Sequence, residues 1–493
     1  MKKWLMMLSV LMALTVNAQQ KREFRGAWIQ CVNGQFQGMG TKKMQQTLLY
    51  QLDELQKDGV NAIIFQVRPE CDALYASKYE PWSRFLTGQQ GMAPNPYWDP
   101  LQWMIEQCHR RGMELHAWIN PYRAKTKGTK ALATNHVGIA HPERCFPYDD
   151  MLILNPGLPE NRDYICEVAV DIVTRYDVDG IHMDDYFYPY PVPGLTIPDD
   201  ATYRRYGEHY PTKADWRRQN VNLFIEQFYK AVHKVKPWVK VGISPFGIYR
   251  NKITSPIGSN TNGLQNYDDL YADVLLWVNK GWLDYVVPQI YWEIGNKAAD
   301  YDTLIRWWDL YSDNRPLFIG EDVERTVKAR DLRNPKTHQQ GAKHRLHREM
   351  KNVKGTVLWY AKAAVDDMGS YGTMLRKYYW KNPVLQPSMT FISKQNPSKP
   401  RKLCAVLTSD GYKLFWTKPS GKKWTKVPCQ YVVYRFAKGE KVNLEDPTKI
   451  VTVTPNTYCS LPYVNGSEQY TYVVTTLNRI HNESKGAKKK VKL

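Results

Sequence analysis

The run Asp177-Val178-Asp179-Gly180-Ile181-His182-Met183-Asp184-Asp185-Tyr186-Phe187-Tyr188-Pro189 concentrates the chemistry of this chain. A short apolar strand opens on Asp-Gly, ends in two adjacent acids and runs into three aromatics and a proline. Strand side chains alternate between faces, so His182, Asp184 and Tyr186 share one, with Asp184 at the carboxyl end. In a parallel α/β barrel that end carries the chemistry, and carboxylates beside aromatic rings suit acid–base cleavage of a glycosidic bond. A helix N-cap or a structural ion pair is the competing reading, and two acids followed by three aromatics fit it poorly.

The same alternation applied to other strand ends collects further polar groups. Gln66, Arg68 and Glu70 share a face on a second strand. His116, Trp118 and Asn120 do so on a third, with Tyr122 and Arg123 just beyond. Gln289, Tyr291 and Glu293 line up on a sixth. Polar groups are costly to bury without partners, so their convergence on one rim points to a site. Glycoside hydrolysis needs two carboxyl groups in different environments, one protonated and one ionised. Alternation sends Asp184 and Asp185 to opposite faces, so the expected pair is Asp184 with Glu293, and Asp185 is a supporting acid. Glu70 and Glu321 are reserve candidates. The expected substrate contacts are Gln66, Arg68, Glu70, Trp118, Asn120, Tyr122, Arg123, His182, Tyr186, Tyr188, Ser244, Gln289, Tyr291, Trp292 and Trp359. Trp82 and Trp98 are further candidate sugar platforms, whereas Trp307 and Trp308 read as helix packing. His136 and His141, with Cys145 nearby, have no recognised ligand spacing, so neither a metal nor a cofactor is expected.

These residues need a frame. Eight strands are predicted at Gly26–Gln30, Ala62–Arg68, Glu114–Asn120, Gly180–Asp184, Lys240–Pro245, Tyr285–Tyr291, Pro316–Gly320 and Thr356–Tyr360. Amphipathic stretches alternate with them, and Asp99-Pro100 has the chemistry of a helix start. Eight βα units over about 350 residues read as a (β/α)8 TIM barrel with enlarged loops, spanning 22–382. An open doubly wound sheet is the competing fold. Its Gly-rich phosphate loop is missing after the first strand. Four prolines then punctuate a linker at 383–400. Five β-patterned runs over 401–482 predict a small all-β sandwich, and 483–493 reads as a solvated basic tail.

Lys2 and Lys3, the apolar run Trp4 to Val16 and the small-residue site Val16-Asn17-Ala18 read as a signal peptide over 1–18, which predicts export to the periplasm or beyond. That run is too short for a confident membrane span. The formal charge of +20 is scattered along the 493 residues, and no nucleic-acid module is recognisable, so a nucleic-acid partner is not expected. The 17 Trp and 33 Tyr suit a partner with flat apolar faces, such as a polysaccharide. Eight cysteines show no dense framework, and several sit in apolar patterns as buried thiols. Oligomeric state is not legible.

Taken together, Arg25-Gly26-Ala27-Trp28, Gln66-Val67-Arg68-Pro69, Ala117-Trp118-Ile119-Asn120-Pro121-Tyr122-Arg123, the Asp179–Pro189 motif, Gly242-Ile243-Ser244-Pro245-Phe246-Gly247 and Val287-Pro288-Gln289-Ile290-Tyr291-Trp292 resemble the bacterial glycosyl-hydrolase-like 10 family. The resemblance implies an exported TIM-barrel glycoside hydrolase, often carrying a C-terminal fibronectin type III-like module. Some relatives act on peptidoglycan glycan strands stripped of their peptides. The fourth strand also looks like the chitinase-type signature DGxDxDxE. Here, however, His182 replaces the middle Asp and Tyr186 the proton-donating Glu, so that substrate-assisted mechanism lacks its acid. Two alternatives remain: a carbohydrate- or cell-wall-binding protein on a barrel without catalysis, and a metal-dependent carbohydrate esterase or deacetylase, for which no coherent ligand set is found.

Overall fold

A computed structural model describes residues 20–493 apart from 313 and 464. The expected signal peptide therefore lies outside the described residues. Eight parallel strands close into a barrel: β1 (Phe24–Ile29), β2 (Ala62–Arg68), β3 (Glu114–Ile119), β4 (Gly180–Met183), β5 (Lys240–Ile243), β6 (Tyr285–Val286), β7 (Leu317–Asp322) and β8 (Val353–Trp359). All eight coincide with the sequence reading, and β6 is shortened from seven residues to two. The Asp99 carboxylate caps its helix by accepting from Gln102 N at 3.0 Å, with Pro100 in the first turn.

Outward-facing residues such as Ile63, Phe65, Leu115, Ile181 and Val241 pack under the helices. Branched side chains usually fill the inside of such barrels. Here rings do much of that work: Phe24, Trp28, Trp118, Tyr285 and Phe318 pack with Ile64 and Val357, and Phe24 stacks on Phe318 at 4.2 Å. Rings need room, and two strand glycines supply it. A Cβ on Gly242 would sit 1.9 Å from the Tyr285 ring, and one on Gly180 2.6 Å from the His116 ring.

Between β3 and β4 a three-stranded sheet (Arg123–Lys125, Cys145–Tyr148, Met151–Leu154) builds what the sequence shows only as an enlarged loop. Its strands are too short for periodicity to register. The 383–400 segment is tied down rather than free: Leu385 is buried and exchanges backbone hydrogen bonds with Lys21 and Glu23. Beyond it lie a three-stranded and a four-stranded antiparallel sheet. The last residues are not a solvated tail. Ala487–Lys492 pairs along Gln469–Leu477, burying Val491 while its lysines face water. A charged edge strand of this kind resists further pairing, and its run of lysines hides the alternation. The eight cysteines are all free thiols, five of them buried.

Gly242→Ala should test the ring-filled interior. Forcing a methyl against Tyr285 is overpacking that nearby backbone must absorb, at a cost of about 1–3 kcal/mol. Thermal denaturation should register it as a clear loss of Tm, whereas alanine at the exposed Gly128, where a Cβ would meet only the end of the Arg84 side chain at 3.8 Å, should leave Tm close to wild type.

Candidate active site

A cavity of about 740 Å³ opens at the carboxyl ends of the strands. Asp184 and Asp185 are the carboxylates that line it among the described residues, and Trp28, Trp118, Tyr186, Tyr291, Trp292 and Trp359 supply rings. Gln66, Arg123, Ser244 and Gln289 complete the expected members that reach it. Asp185 turns inward because β4 ends at Met183, and past that point alternation no longer governs the chain.

Glu293 does not join this lining. With β6 ending at Val286, the residues after Pro288 lose strand parity, and the Glu293 carboxylate instead accepts from Asn296 Nδ2 at 2.7 Å within its own loop. The expected Asp184–Glu293 pairing is therefore replaced by the adjacent pair Asp184 and Asp185. Glu321 points out of the barrel and is buried, accepting from Tyr371 OH at 2.8 Å.

Several other expected contacts prove to be supports. Arg68 is consumed by Glu80 and by the carbonyls of Asn120 and Pro121. Tyr122 packs outward on Phe224, and Tyr188 is buried against Tyr271 with Asn220 on its hydroxyl. His182 lies beneath the cavity, bonded to Ser244. Glu70 accepts from Thr126 N and the Thr129 hydroxyl and pairs with Arg84 at 3.1 Å, which places Arg84 on the cavity wall. Burial would raise the Glu70 carboxyl, but these donors together hold it below its ordinary value. Trp98 packs edge-on against Trp103 and Trp82 against Tyr97, so neither is a platform. Trp307 and Trp308 are packed as expected, each indole donating to a backbone carbonyl. His136 is a buried structural residue bonded to Glu70 O. The described residues hold no cluster of His, Cys, Asp or Glu suited to a metal.

The amides behind Asp184 have a determined direction. Backbone N–H groups of Cys31 and Val32 donate to Gln66 Oε1, at 3.0 and 3.2 Å, so Gln66 Nε2 must face Asn120 Oδ1, at 2.7 Å. Asn120 Nδ2 then donates to the Asp184 carboxyl, which also accepts from Tyr186 N at 3.3 Å. Asp185 accepts from the Tyr190 hydroxyl and the Gln289 side chain. Burial, offset in part by Arg123 and reinforced by Asp185, raises Asp184 to about 7, and burial raises Asp185 as well. Tyr190, Trp28, Arg84, Phe85, Phe246 and Arg325 also line the cavity and were not foreseen as contacts. Tyr190 continues the aromatic run after Asp185 and Trp28 lies at a strand end, so both were legible; Arg84, Phe85 and Arg325 lie on helices of four to six residues, too short for a periodic pattern, and Phe246 lies just past β5.

The raised Asp184 makes a stability prediction. Its pKa is higher folded than unfolded, so its contribution is full below about pH 4 and is lost as pH rises through about 7. Asp184→Asn removes that titration. The variant should melt above wild type at about pH 8 and level with it at about pH 4. Equal melting temperatures at both would refute the raised value.

Residues 23–333 match the glycosyl hydrolase-like 10 family. The chain is 39% identical over 488 residues to the glycosyl hydrolase YngK of Bacillus subtilis (strain 168), covering 97% of this chain and 94% of that protein. It is 42% identical over 288 residues to the glycosyl hydrolase DigH of Escherichia coli (strain K12), covering 56% of this chain and 65% of DigH. Among solved structures, the PgaB (BpsB) glycoside hydrolase domain from Bordetella bronchiseptica superposes with a TM-score of 0.47 at 12% identity, covering 72% of this chain and 99% of that one. With the family match over residues 23–333 and 39% identity to a relative along nearly its whole length, the chain belongs to the glycosyl hydrolase-like 10 family.

Proposed function

We propose that this protein is an exported glycoside hydrolase that cleaves O-glycosidic bonds with Asp184 as general acid and Asp185 as its ionised partner. The observation that carries the reading is a buried carboxyl raised to about 7 at the end of β4, inside a cavity walled by aromatic rings. Such a group still holds its proton at neutral pH and can give it to the leaving oxygen. The C1–O bond breaks, its electron pair passes to that oxygen, and water adds to the anomeric carbon while its proton goes to Asp185. Tyr190 and Gln289 steady the Asp185 carboxylate for that task.

Glycan strands freed of peptide are the proposed substrate class. Arg84, Arg123 and Arg325 all line the cavity, which favours a sugar chain that carries carboxylates. The C-terminal sheets, in our reading a fibronectin type III-like module, hold no comparable acid pair. Export rests on Lys2, Lys3 and the apolar run that follows.

Product analysis by mass spectrometry tests this. Mature protein incubated with peptide-free peptidoglycan strands, beside neutral polysaccharides, should release new oligosaccharides. Asp184→Asn should lose about 10²–10⁴-fold in kcat, the usual worth of general acid catalysis. Glu293→Gln should stay close to wild type. Because the acid must be protonated, kcat/KM should fall as pH rises through about 7. Binding without turnover across the whole panel would instead favour a carbohydrate-binding protein.

A further inference from the structure

A line of buried polar side chains runs through the barrel from the cavity floor to the opposite end. Ser244 Oγ lies 2.9 Å from His182 Nε2, and the Trp28 indole Nε1 lies 3.3 Å from the same nitrogen. His182 Nδ1 is 3.1 Å from the Tyr285 hydroxyl, which is 2.7 Å from His116 Nδ1. His116 Nε2 is 3.0 Å from Glu114 Oε2, and Glu114 Oε1 in turn meets Lys240 Nζ and His481 Nε2 at 2.6 Å each. Every member is at most 4% exposed.

The direction of this chain follows from its ends. An indole N–H can only donate, so His182 Nε2 is an acceptor. Burial keeps the His182 imidazole neutral, which puts its proton on Nδ1, facing Tyr285. Tyr285 oxygen therefore accepts from His182, and its own proton goes to His116 Nδ1. His116 is left with its proton on Nε2, donating to Glu114. At that end burial would raise the Glu114 carboxyl, but Lys240 and His481 outweigh it and hold the carboxylate ionised. Each hydrogen bond thus points from the cavity towards Glu114.

We propose that this chain sets the polarity of the cavity floor, making Ser244 a positioning residue that offers substrate a hydrogen-bond acceptor. The Ser244 hydroxyl spends its proton on His182, at 2.9 Å, in preference to Met183 O at 3.4 Å. Its lone pairs are then left for a donor in the cavity, and a sugar hydroxyl is the donor the proposed reaction supplies. Trp28 has its N–H turned to the same acceptor, so its ring carbons face the substrate. This inference rests on the glycoside hydrolase reading for the identity of that donor, while the tautomers do not.

Two measurements separate the parts. In the full mature protein with ¹⁵N-labelled histidine, NMR should find His182 as the Nδ1–H tautomer and His116 as the Nε2–H tautomer, assigned with His182→Gln and His116→Gln. Finding the proton of His182 on Nε2 would overturn the proposal. Tyr285→Phe removes the hydroxyl that joins the two rings and changes little volume, so the His182 Nδ1–H signal should shift as it loses its acceptor, while the Trp28 N–H still holds the tautomer. On the glycan found to be cleaved, Ser244→Ala should raise KM about tenfold, the worth of one hydrogen bond, with kcat little changed. An unchanged KM would overturn the acceptor role of Ser244. A wild type that cleaves no glycan would sink the functional reading, and the tautomers would still decide the chain.

Discussion

The structure turns on one constraint: Asp184 has to be dry enough to keep a proton near neutrality and still be aimed. Burial alone would leave a carboxyl free to rotate and costly to hold. The barrel answers with donors whose direction is fixed by backbone. The amides of Cys31 and Val32, at the end of β1, force Gln66 on β2 to present its amino group to Asn120 on β3, which presents its own to Asp184 on β4. Four successive strands each contribute one element of the array, and the parallel register brings those elements level. Moving any of these strands by one residue would turn its polar group to the helix side.

The same need for complete pairing explains the foot of the barrel. Asp179, the first acid of the sequence signature, is not catalytic: it accepts from Leu115 N and binds His109 and Arg479. Glu114 is buried beside it, and one of its three cationic or donor partners, His481, comes from the C-terminal region. An ionised carboxylate deprived of such a donor in the interior costs several kcal/mol, roughly 3–5 by analogy with broken buried pairs. The C-terminal sheets are therefore a working part of the barrel's lower end. A tethered attachment would not supply a buried ligand to the barrel's own charge.

Much of this was legible in the sequence. The eight strands stood out because each is an apolar run bounded by turn residues and followed by an amphipathic helix. The face of Gln66 followed from alternation within β2, and Asn120 and Asp184, each the first residue past its strand, still keep that strand's parity. Errors arose where the strand stops early. β6 is two residues long, so counting from Tyr285 to Glu293 carried parity through a proline and into a loop that obeys none. Asp185 was placed on the wrong face for the same reason. Arg84, Phe85 and Arg325 reach the cavity from short helices, and Arg84 is set by distant contacts such as Glu70 with Thr126 and Thr129, which no local pattern encodes. The basic tail was misread because three consecutive lysines mask the single inward Val491 of an edge strand.

The two tiers of the site also interact electrostatically. Barrel strand ends supply the acids, whereas the short helices and the small sheet inserted between the strands supply Arg84, Arg123 and Arg325 around them. Burial pushes the Asp184 carboxyl up, and Arg123 is the chief charge pulling it down. Arg123 is itself steadied by Pro69 O, at 2.9 Å, and by the face of Tyr186. A substrate carboxylate that pairs with Arg123 cancels that pull, and closing the cavity over a sugar removes water from the acid at the same time. Both changes favour the protonated form. On the proposed mechanism, substrate binding then reinforces the proton on Asp184 at the moment the leaving oxygen needs it. The arginine of the inserted sheet sets the condition for the acid at the barrel strand's end.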